Sequence, residues 1–380
     1  MTDDGLPLSG VRVLDLSALL PGPLATLLLA EAGAEVVRVE KPGCGDEMRS
    51  YTPRHGEASA NYAILNRGKR AYGVDLKDPV QRAQVVDAAA EADVVVEQFR
   101  PGVADRLGVG YDAITARNPR IVYCSITGYG PTGHYASRAG HDLNFMAASG
   151  LLNAVTDNTG TPSLPVSVFA DISAGSYPAV VNILLALRRV ERTGEGCHLH
   201  VSMTHNLQVF GYGYFSTYQV GGSWPRPGAE QLTGGSPRYR LYRTADGRHV
   251  ACAALEDKFW KRLVEVVDLD PRFHDDAGQE QAVIAALSAV FLARDGAHWD
   301  ALLSGVDTCT SIVATWEEAV ELGFLVVDGR DRVSQPGRLD RSIPALSMPL
   351  DPAVRRSGDT VEYPTLATFE NGFDWSARRR

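Results

Sequence analysis

Val11-Arg-Val-Leu-Asp-Leu16, then Pro21-Gly-Pro23, then the apolar block Leu24–Ala32, then Gly33 and Glu35-Val-Val-Arg-Val-Glu40: this succession decides the fold. The first run reads as a short strand. The prolines punctuate it, and Leu24–Ala32 reads as a helix with Gly33 at the C′ position, where a left-handed residue closes the last turn. Glu35–Glu40 is a second strand, stopped by Pro42-Gly43. Working outward, Pro79–Ala92 is helical with Pro79 near its first turn. Asp93–Glu97 is a third strand, Tyr111–Asn118 is helical, and Arg120–Thr127 is a fourth strand. Strands that alternate with helices must pair in parallel, which makes this an α/β chain with a doubly wound sheet.

Further along, Val166–Ala170 is a short apolar run, Asp171 follows it, and Ile172–Arg192 reads as a long helix ended by Gly194. His198–Met203 is strand-like. Residues 211–238 are rich in Gly, Pro, Tyr and Trp, and mark a domain crossover. Tyr239–Tyr242 and His249–Ala253 flank Asp246-Gly247, a hairpin signal. Helical patterns follow at Asp257–Val267, Gln279–Ala293 and His298–Leu303, giving a smaller α+β domain. The expected division is a large domain over 1–210, a linker and small domain over 211–325, and a C-terminal segment, 326–380, that returns to the large domain.

The formal net charge of −9 argues against a nucleic-acid surface, which needs clustered Lys and Arg. The five cysteines (Cys44, Cys124, Cys197, Cys252, Cys309) are scattered, with no C-x-x-C spacing. Neither a disulfide framework nor a zinc site is expected, and the compartment is reducing. The acidic start has no signal-type apolar run, and Pro178–Leu187 is too short to span a bilayer. The expectation is a cytoplasmic protein with no membrane or nucleic-acid partner.

Gly128-Tyr-Gly-Pro-Thr-Gly133 matches G-x-G-x-x-G after a strand, but Pro131 sits in the loop and no apolar helix opens behind it, so a turn is preferred over a dinucleotide site. His198, His200 and His205 have no acidic or Cys partner spaced to complete a metal set, and a polar strand face is the simpler reading. Gly140-His141-Asp142 opens a helix. Asp171 stands at a helix start, before the small residues Ile172-Ser-Ala-Gly-Ser176, where free amides and a favourable field would meet a developing negative charge. Glu256 lies at another helix start and by itself reads as a cap. Arg38, Lys41, Lys77, Arg100 and Arg106 stand near strand ends, a modest case for anion binding.

As an ordered set, these segments resemble the class III CoA-transferase (CaiB/BaiF) family, closest to its α-methylacyl-CoA racemase branch. The resemblance is carried by Leu8-Ser-Gly-Val-Arg-Val-Leu-Asp-Leu16, Pro21-Gly-Pro23, Gly33–Pro42, Asn66-Arg-Gly-Lys-Arg70, Val74-Asp-Leu-Lys77, Phe99-Arg-Pro-Gly-Val103, Arg106-Leu-Gly108, Gly128–Gly133, Ala139-Gly-His-Asp142 and Ala170-Asp171. It implies a Rossmann-like large domain, a smaller α+β domain and an interlocked homodimer. It also implies an acyl-CoA substrate, with coenzyme A as part of that substrate and no prosthetic group or metal. By resemblance, Lys41, Lys77, Arg100 and Arg106 contact CoA, and His141, Asp171 and Glu256 are catalytic.

His141 in the Gly-His-Asp motif points to racemase chemistry. His141 and protonated Asp171 would move a proton at C2 on opposite faces through an enolate, with amides near Asp171 holding the enolate oxygen and Glu256 orienting His141. Ile172-Ser-Ala-Gly175 departs from the glycine run of the racemases, and the long stretch from Lys41 to Asn66 follows the transferase manner. The alternative is therefore CoA transfer between carboxylic acids, through an Asp171 acyl anhydride and an aspartyl-CoA thioester. A third reading is a non-catalytic acyl-CoA-binding protein, against which the intact His, Asp and Glu set argues.

Overall fold

Strand β1 (Arg12–Leu16) is buried along its whole length, and so is helix α1 (Pro21–Glu31) from Pro21 to Ala30. A helix apolar on every side belongs between other layers rather than on a surface. Two prolines occupy its first turn, where the missing N–H costs nothing. Gly33, at φ +106°, closes it: the Gly33 N–H donates to the Ala30 carbonyl and the Ala34 N–H to the Leu29 carbonyl, both at 3.0 Å. These are the two bonds of a Schellman cap.

The computed structural model describes residues 5–156, 161–165, 168–356, 358–369, 373 and 375. After β2 (Glu35–Glu40) come β3 (Arg70–Gly73), helix α2 (Pro79–Glu91), β4 (Val94–Glu97), β5 (Val122–Thr127), helix α3 (Asp142–Ala148), helix α4 (Tyr177–Thr193) and β6 (Cys197–Ser202). The Asp78 carboxylate starts α2 by accepting from the Val80 and Gln81 amides. β7 (Leu366–Thr368) returns from the tail to pair beside β3. The strands form one seven-stranded parallel sheet in the order β7-β3-β2-β1-β4-β5-β6. The chain steps from β1 towards β2 and β3, then crosses to β4 on the other side of β1. The gap between β1 and β4 is thus a topological switch point, the place where open α/β sheets form ligand crevices.

The chain divides into two compact units. One comprises Met1–Ser149, Val166–Gln208 and Val326–Arg380; the other comprises Gly150–Pro165 and Val209–Leu325. The 150–165 stretch thus joins the second unit. Part of the tail from Val326 is pleated rather than merely extended: Arg332–Gln335 pairs antiparallel with Arg338–Pro344 and parallel with Thr360–Glu362. In the second unit, Tyr239–Arg243 and His249–Ala253 form the hairpin around Gly247 (φ +85°), and Thr310–Ile312 adds a third strand. Its core is built on Trp260, Phe291 and Trp299, whose indole N–H groups find carbonyls at His274 (2.7 Å, from Trp260) and Phe291 (2.9 Å, from Trp299).

The long helix differs from expectation. Residues Ala170–Ser176 form a π-helical turn that runs straight into α4. The joined segment Ala170–Thr193, 24 residues, is long and apolar enough by length and composition to cross a membrane, where the run Pro178–Leu187 alone is not. Within α4 the buried positions are Ala179, Ile183, Ala186 and Val190. That spacing of three and four residues is one helical face, and it packs on β5 and β6.

Candidate active site

At the C-terminal ends of β1, β4 and β5 lies a cleft of about 280 Å³, lined by Leu19 and Pro21, by Gln98–Pro101, by Thr127–Tyr129, and by Arg138, His141 and Asp171 among others. It sits at the switch point. The turn after β4 is shaped by Glu97, whose carboxylate accepts the Phe99 N–H at 2.7 Å. Gln98 then reaches across to α1, its Oε1 accepting the Gly22 N–H at 3.1 Å.

His141 occupies the residue before α3 in extended conformation (φ −122°, ψ 176°), and its N–H donates to Asn144 Oδ1 at 3.0 Å. Phe145 on α3 is buried and fixes the helix in place. A Cβ on Gly128 would stand 2.3 Å from the Phe145 ring, and one on Gly140 2.7 Å from it and 2.7 Å from the Tyr129 hydroxyl. The glycines of the Gly128–Gly133 loop and of the Gly-His-Asp segment therefore admit an aromatic side chain. No helix opens directly behind the loop; the next begins at Asp142.

Asp171 lies in the first turn of the π-helical segment, half-buried, on the same cleft as His141. Its N–H donates to Asp142 Oδ1 at 2.8 Å. The turn is braced from three sides. Ser176 Oγ lies 2.8 Å from the Pro21 carbonyl and 3.2 Å from that of Asp171, and Asn206 Nδ2 donates to the Ala174 carbonyl at 2.8 Å. Gly175 leaves 3.1 Å between a would-be Cβ and both Met203 and Pro21. Extra-residue turns of this kind often mark functional sites, because the bulge re-aims a side chain. Burial pushes the Asp171 carboxyl up to about 7, and the nearby Asp142 charge pushes the same way.

Two expectations are corrected here. Asp171 lies inside a π-helical turn rather than at a helix start, and the amides beside it are not free for an oxyanion: that of Asp171 serves Asp142, and that of Ile172 donates to the Val168 carbonyl at 3.2 Å. The small residues Ala174-Gly175-Ser176 lie inside the protein. They are buried where the turn packs on α1 and on helix Met203–Asn206.

Lys41 follows β2, Lys77 follows β3, Arg100 follows β4, and Arg106 ends the short helix Val103–Arg106. All four are exposed, and among the described residues none pairs with a carboxylate. Arg38, the fifth basic candidate, is different. It is fully buried, with its guanidinium 3.2 Å from Asp15 and Glu40, 2.8 Å from Asp46 and 2.8 Å from Asn66 Oδ1. Its donors are used, so it is a structural cation and not an anion-binding one. Glu256 belongs to the second unit, exposed, just before helix Asp257–Val266, with no capping bond from its side chain.

His198 and His200 share a strand face, their rings 4.0 Å apart, with His198 Nε2 2.8 Å from Ser125 Oγ. Sequence reasoning assigned no role to Gln98, Arg138 or Asp142. Gln98 stands two residues before Arg100, and Asp142 directly after His141, which was the available signal.

The protein-family model described as CoA-transferase family III matches residues 8–351. The α-methylacyl-CoA racemase of Homo sapiens is 32% identical over 364 residues, 92% of this chain and 91% of that protein. The acetyl-CoA:oxalate CoA-transferase of Acetobacter aceti is 33% identical over 302 residues, 77% of each. Among solved structures, a CAIB/BAIF family protein from Brucella suis superposes with a TM-score of 0.77 at 28% identity, covering 96% of this chain and 97% of that one. With this match along the chain and this sheet beneath the cleft, the protein is an α/β enzyme that belongs to CoA-transferase family III.

Proposed function

We propose that this enzyme is an α-methylacyl-CoA racemase, epimerising C2 of a 2-methylacyl-CoA by 1,1-proton transfer through an enolate. One observation carries the reading: His141 and Asp171 face one cleft at the switch point, and the Asp171 carboxyl is held near neutral pH. A group that titrates near the working pH can both give and take a proton, which a reversible epimerisation requires. His141 removes the proton from one face of C2 and Asp171 delivers one to the other; the reverse reaction exchanges the roles. Glu256 is the proposed third member of this acid–base set, tested by Glu256→Gln.

The exposed Lys41, Lys77, Arg100 and Arg106 are the proposed contacts for the anionic coenzyme A portion, which anchors the thioester so that the proton-handling groups reach it. No prosthetic group enters this chemistry. The proposed active form is an interlocked homodimer. The outward positions Val181, Leu184 and Leu185 of α4, 54%, 42% and 66% exposed, supply apolar surface for it, and light scattering in solution tests it. Five unpaired cysteines accord with a reducing, cytoplasmic setting.

The deciding experiment incubates one enantiomer of a 2-methylacyl-CoA in D2O with no acceptor acid. α-Deuterium incorporation with racemisation supports the proposal; its absence refutes it. CoA transfer is the second reading, favoured by transferase relatives of comparable identity. There the Asp171 carboxylate attacks the thioester carbonyl and CoA thiolate leaves, giving an acyl anhydride. Thiolate attack on the aspartyl carbonyl then forms the aspartyl-CoA thioester and releases the carboxylate. His141→Ala separates the two: proton exchange collapses, whereas transfer survives with an altered KM.

A further inference from the structure

We infer that Asp142 is a positioning residue that ties the Asp171 turn to the segment carrying His141 and places its own carboxylate beside the Asp171 carboxyl. This rests on the proton-transfer reading of His141 and Asp171. Asp142 follows His141 directly in the chain, and its Oδ1 accepts the Asp171 N–H at 2.8 Å. One carboxylate therefore ties together the two elements that carry the proposed acid–base groups. The turn also packs on α1, α4, helix Met203–Asn206, β6 and the body of α3. Across 29 residues of sequence, the Asp142–Asp171 bond adds a directional tie to that packing, between the residue that follows His141 and Asp171 itself.

The second half of the inference is electrostatic. The titratable groups around Asp171 include His141 and Asp142 at α3, Tyr177 at the start of α4, His205 of helix Met203–Asn206 and His198 and His200 on β6, with Arg100, Tyr129 and Arg138 on the cleft wall. α1 contributes none in its facing turn. Of these, Asp142 is the one whose charge acts on Asp171, adding to burial and favouring the protonated carboxyl. Asp142 thus maintains a proton donor at neutral pH in a place where a nearby cation would have removed it.

An acidic residue in a first helical turn also stabilises the helix by itself, so the test must separate the roles. Asp142→Asn keeps an acceptor oxygen for the Asp171 amide and removes the charge; Asp142→Ala removes both; Asp142→Glu is the conservative variant. The primary readout is a 13C-carboxyl NMR titration of Asp171, assigned with Asp171→Asn. With Asp142→Asn the titration is expected to fall by about one unit towards the ordinary carboxylate range, and the kcat–pH limb with it, at unchanged KM. Asp142→Ala is expected to lower kcat by about 100-fold with the fold retained by circular dichroism, and Asp142→Glu to recover part of that loss. An Asp171 titration unmoved by Asp142→Asn, or a melting temperature that drops while the titration stays put, overturns the inference. If the wild type shows no α-proton exchange but the titration still moves, the racemase reading fails and the role of Asp142 stands.

Discussion

Gln98 and Gly22 meet across the switch point: the Gly22 N–H donates to Gln98 Oε1 at 3.1 Å, fastening the turn after β4 to the first turn of α1. Both segments wall the cleft, so this bond sets its width. Gly22 has no room for a side chain, since a Cβ would come 2.1 Å from Ser17 Oγ and 3.1 Å from Gln98 Oε1. Ser17 cannot easily retreat, because its hydroxyl is bonded to the buried Asp15. Gly22→Ala is therefore expected to cost about 1–3 kcal/mol of stability by overpacking. Gln98→Ala leaves the Gly22 N–H without its acceptor and is expected to cost about 1 kcal/mol while raising KM for acyl-CoA. Urea unfolding and steady-state kinetics of the two variants check this; equal KM in Gln98→Ala and wild type would show that the bond does not shape the cleft.

Arg38 and Lys41 stand three residues apart and should behave oppositely. Arg38→Ala leaves Asp15, Glu40 and Asp46 buried with Lys69 and Arg49 as their remaining cations. Burial opposes ionisation of Glu40, and Arg38 with Arg49 holds its carboxyl down at about 2, so removing Arg38 takes away a cation that offsets the burial. Breaking such a set costs about 3–5 kcal/mol, and low soluble yield is the expected outcome. Arg38→Lys recovers only part, since an ammonium cannot fork to several acceptors. Lys41→Ala, by contrast, should leave the melting temperature unchanged and weaken CoA binding by about ten-fold or more, the loss of one charge-assisted contact. Calorimetric CoA titration beside thermal melts distinguishes the two residues.

The difference between Arg38 and Lys41 also shows what a sequence can and cannot display. β1, β2, β4 and β5 were legible because strands covered on both faces carry long apolar runs, and Gly33 announced the end of α1. Arg38 lies within such a run. Its burial depends on Asp46, just before the turn Glu47–Ser50, and Asn66, at the end of helix Ala60–Asn66, and nothing local reports that. Arg70-Ala-Tyr-Gly73 carries almost no apolar pattern; pairing with β2 and β7 makes it a strand. The three-residue β7 is held by contacts to residues almost 300 positions away. The π-helical turn packs on α1, α4 and helix Met203–Asn206, and the Asp142–Asp171 bond joins residues 29 positions apart, so the motif around Asp171 looked like a plain helix start.

Asp171 gives a pH signature independent of any substrate. Its carboxyl sits at about 7 against an ordinary 3.8, so between those values the unfolded chain loses a proton that the folded chain keeps. The stabilisation this group contributes is complete below about 3.8, declines as pH rises and is lost above about 7. Asp171→Asn cannot ionise and escapes the loss. Its melting temperature should match wild type at pH 4 and exceed it at pH 8, read by thermal unfolding over a pH series. A difference that does not change with pH would contradict the raised carboxyl.

Glu97, beneath the same cleft, should follow the same direction through a different network. Burial lifts its carboxyl to about 7, Asp105 adds to this, and bonds from Ser125 and the Phe99 N–H pull against it. Ser125 Oγ in turn lies 2.8 Å from His198 Nε2, and burial, with His200 alongside, lowers the His198 imidazole to about 4. The two ends therefore act in separate windows. Stability associated with Glu97 is lost as pH rises from about 4.5 to 7, and that associated with His198 is lost as pH falls from about 6.5 to 4. In Glu97→Gln the amide oxygen can still accept the Phe99 N–H, and the amide nitrogen can donate to Ser125 Oγ, whose proton then turns to His198 Nε2. Every group stays satisfied, so this variant should gain stability over wild type at pH 8, show none of that gain at pH 4, and bind CoA normally. Glu97→Ala leaves the Phe99 amide without its acceptor and should lose about 1–3 kcal/mol, with weaker CoA binding because the turn carrying Phe99 and Arg100 loosens. Denaturant titrations at the two pH values, paired with CoA binding, check both variants; a Glu97→Gln protein less stable than wild type at pH 8 would mean that the ionised carboxylate itself holds the turn.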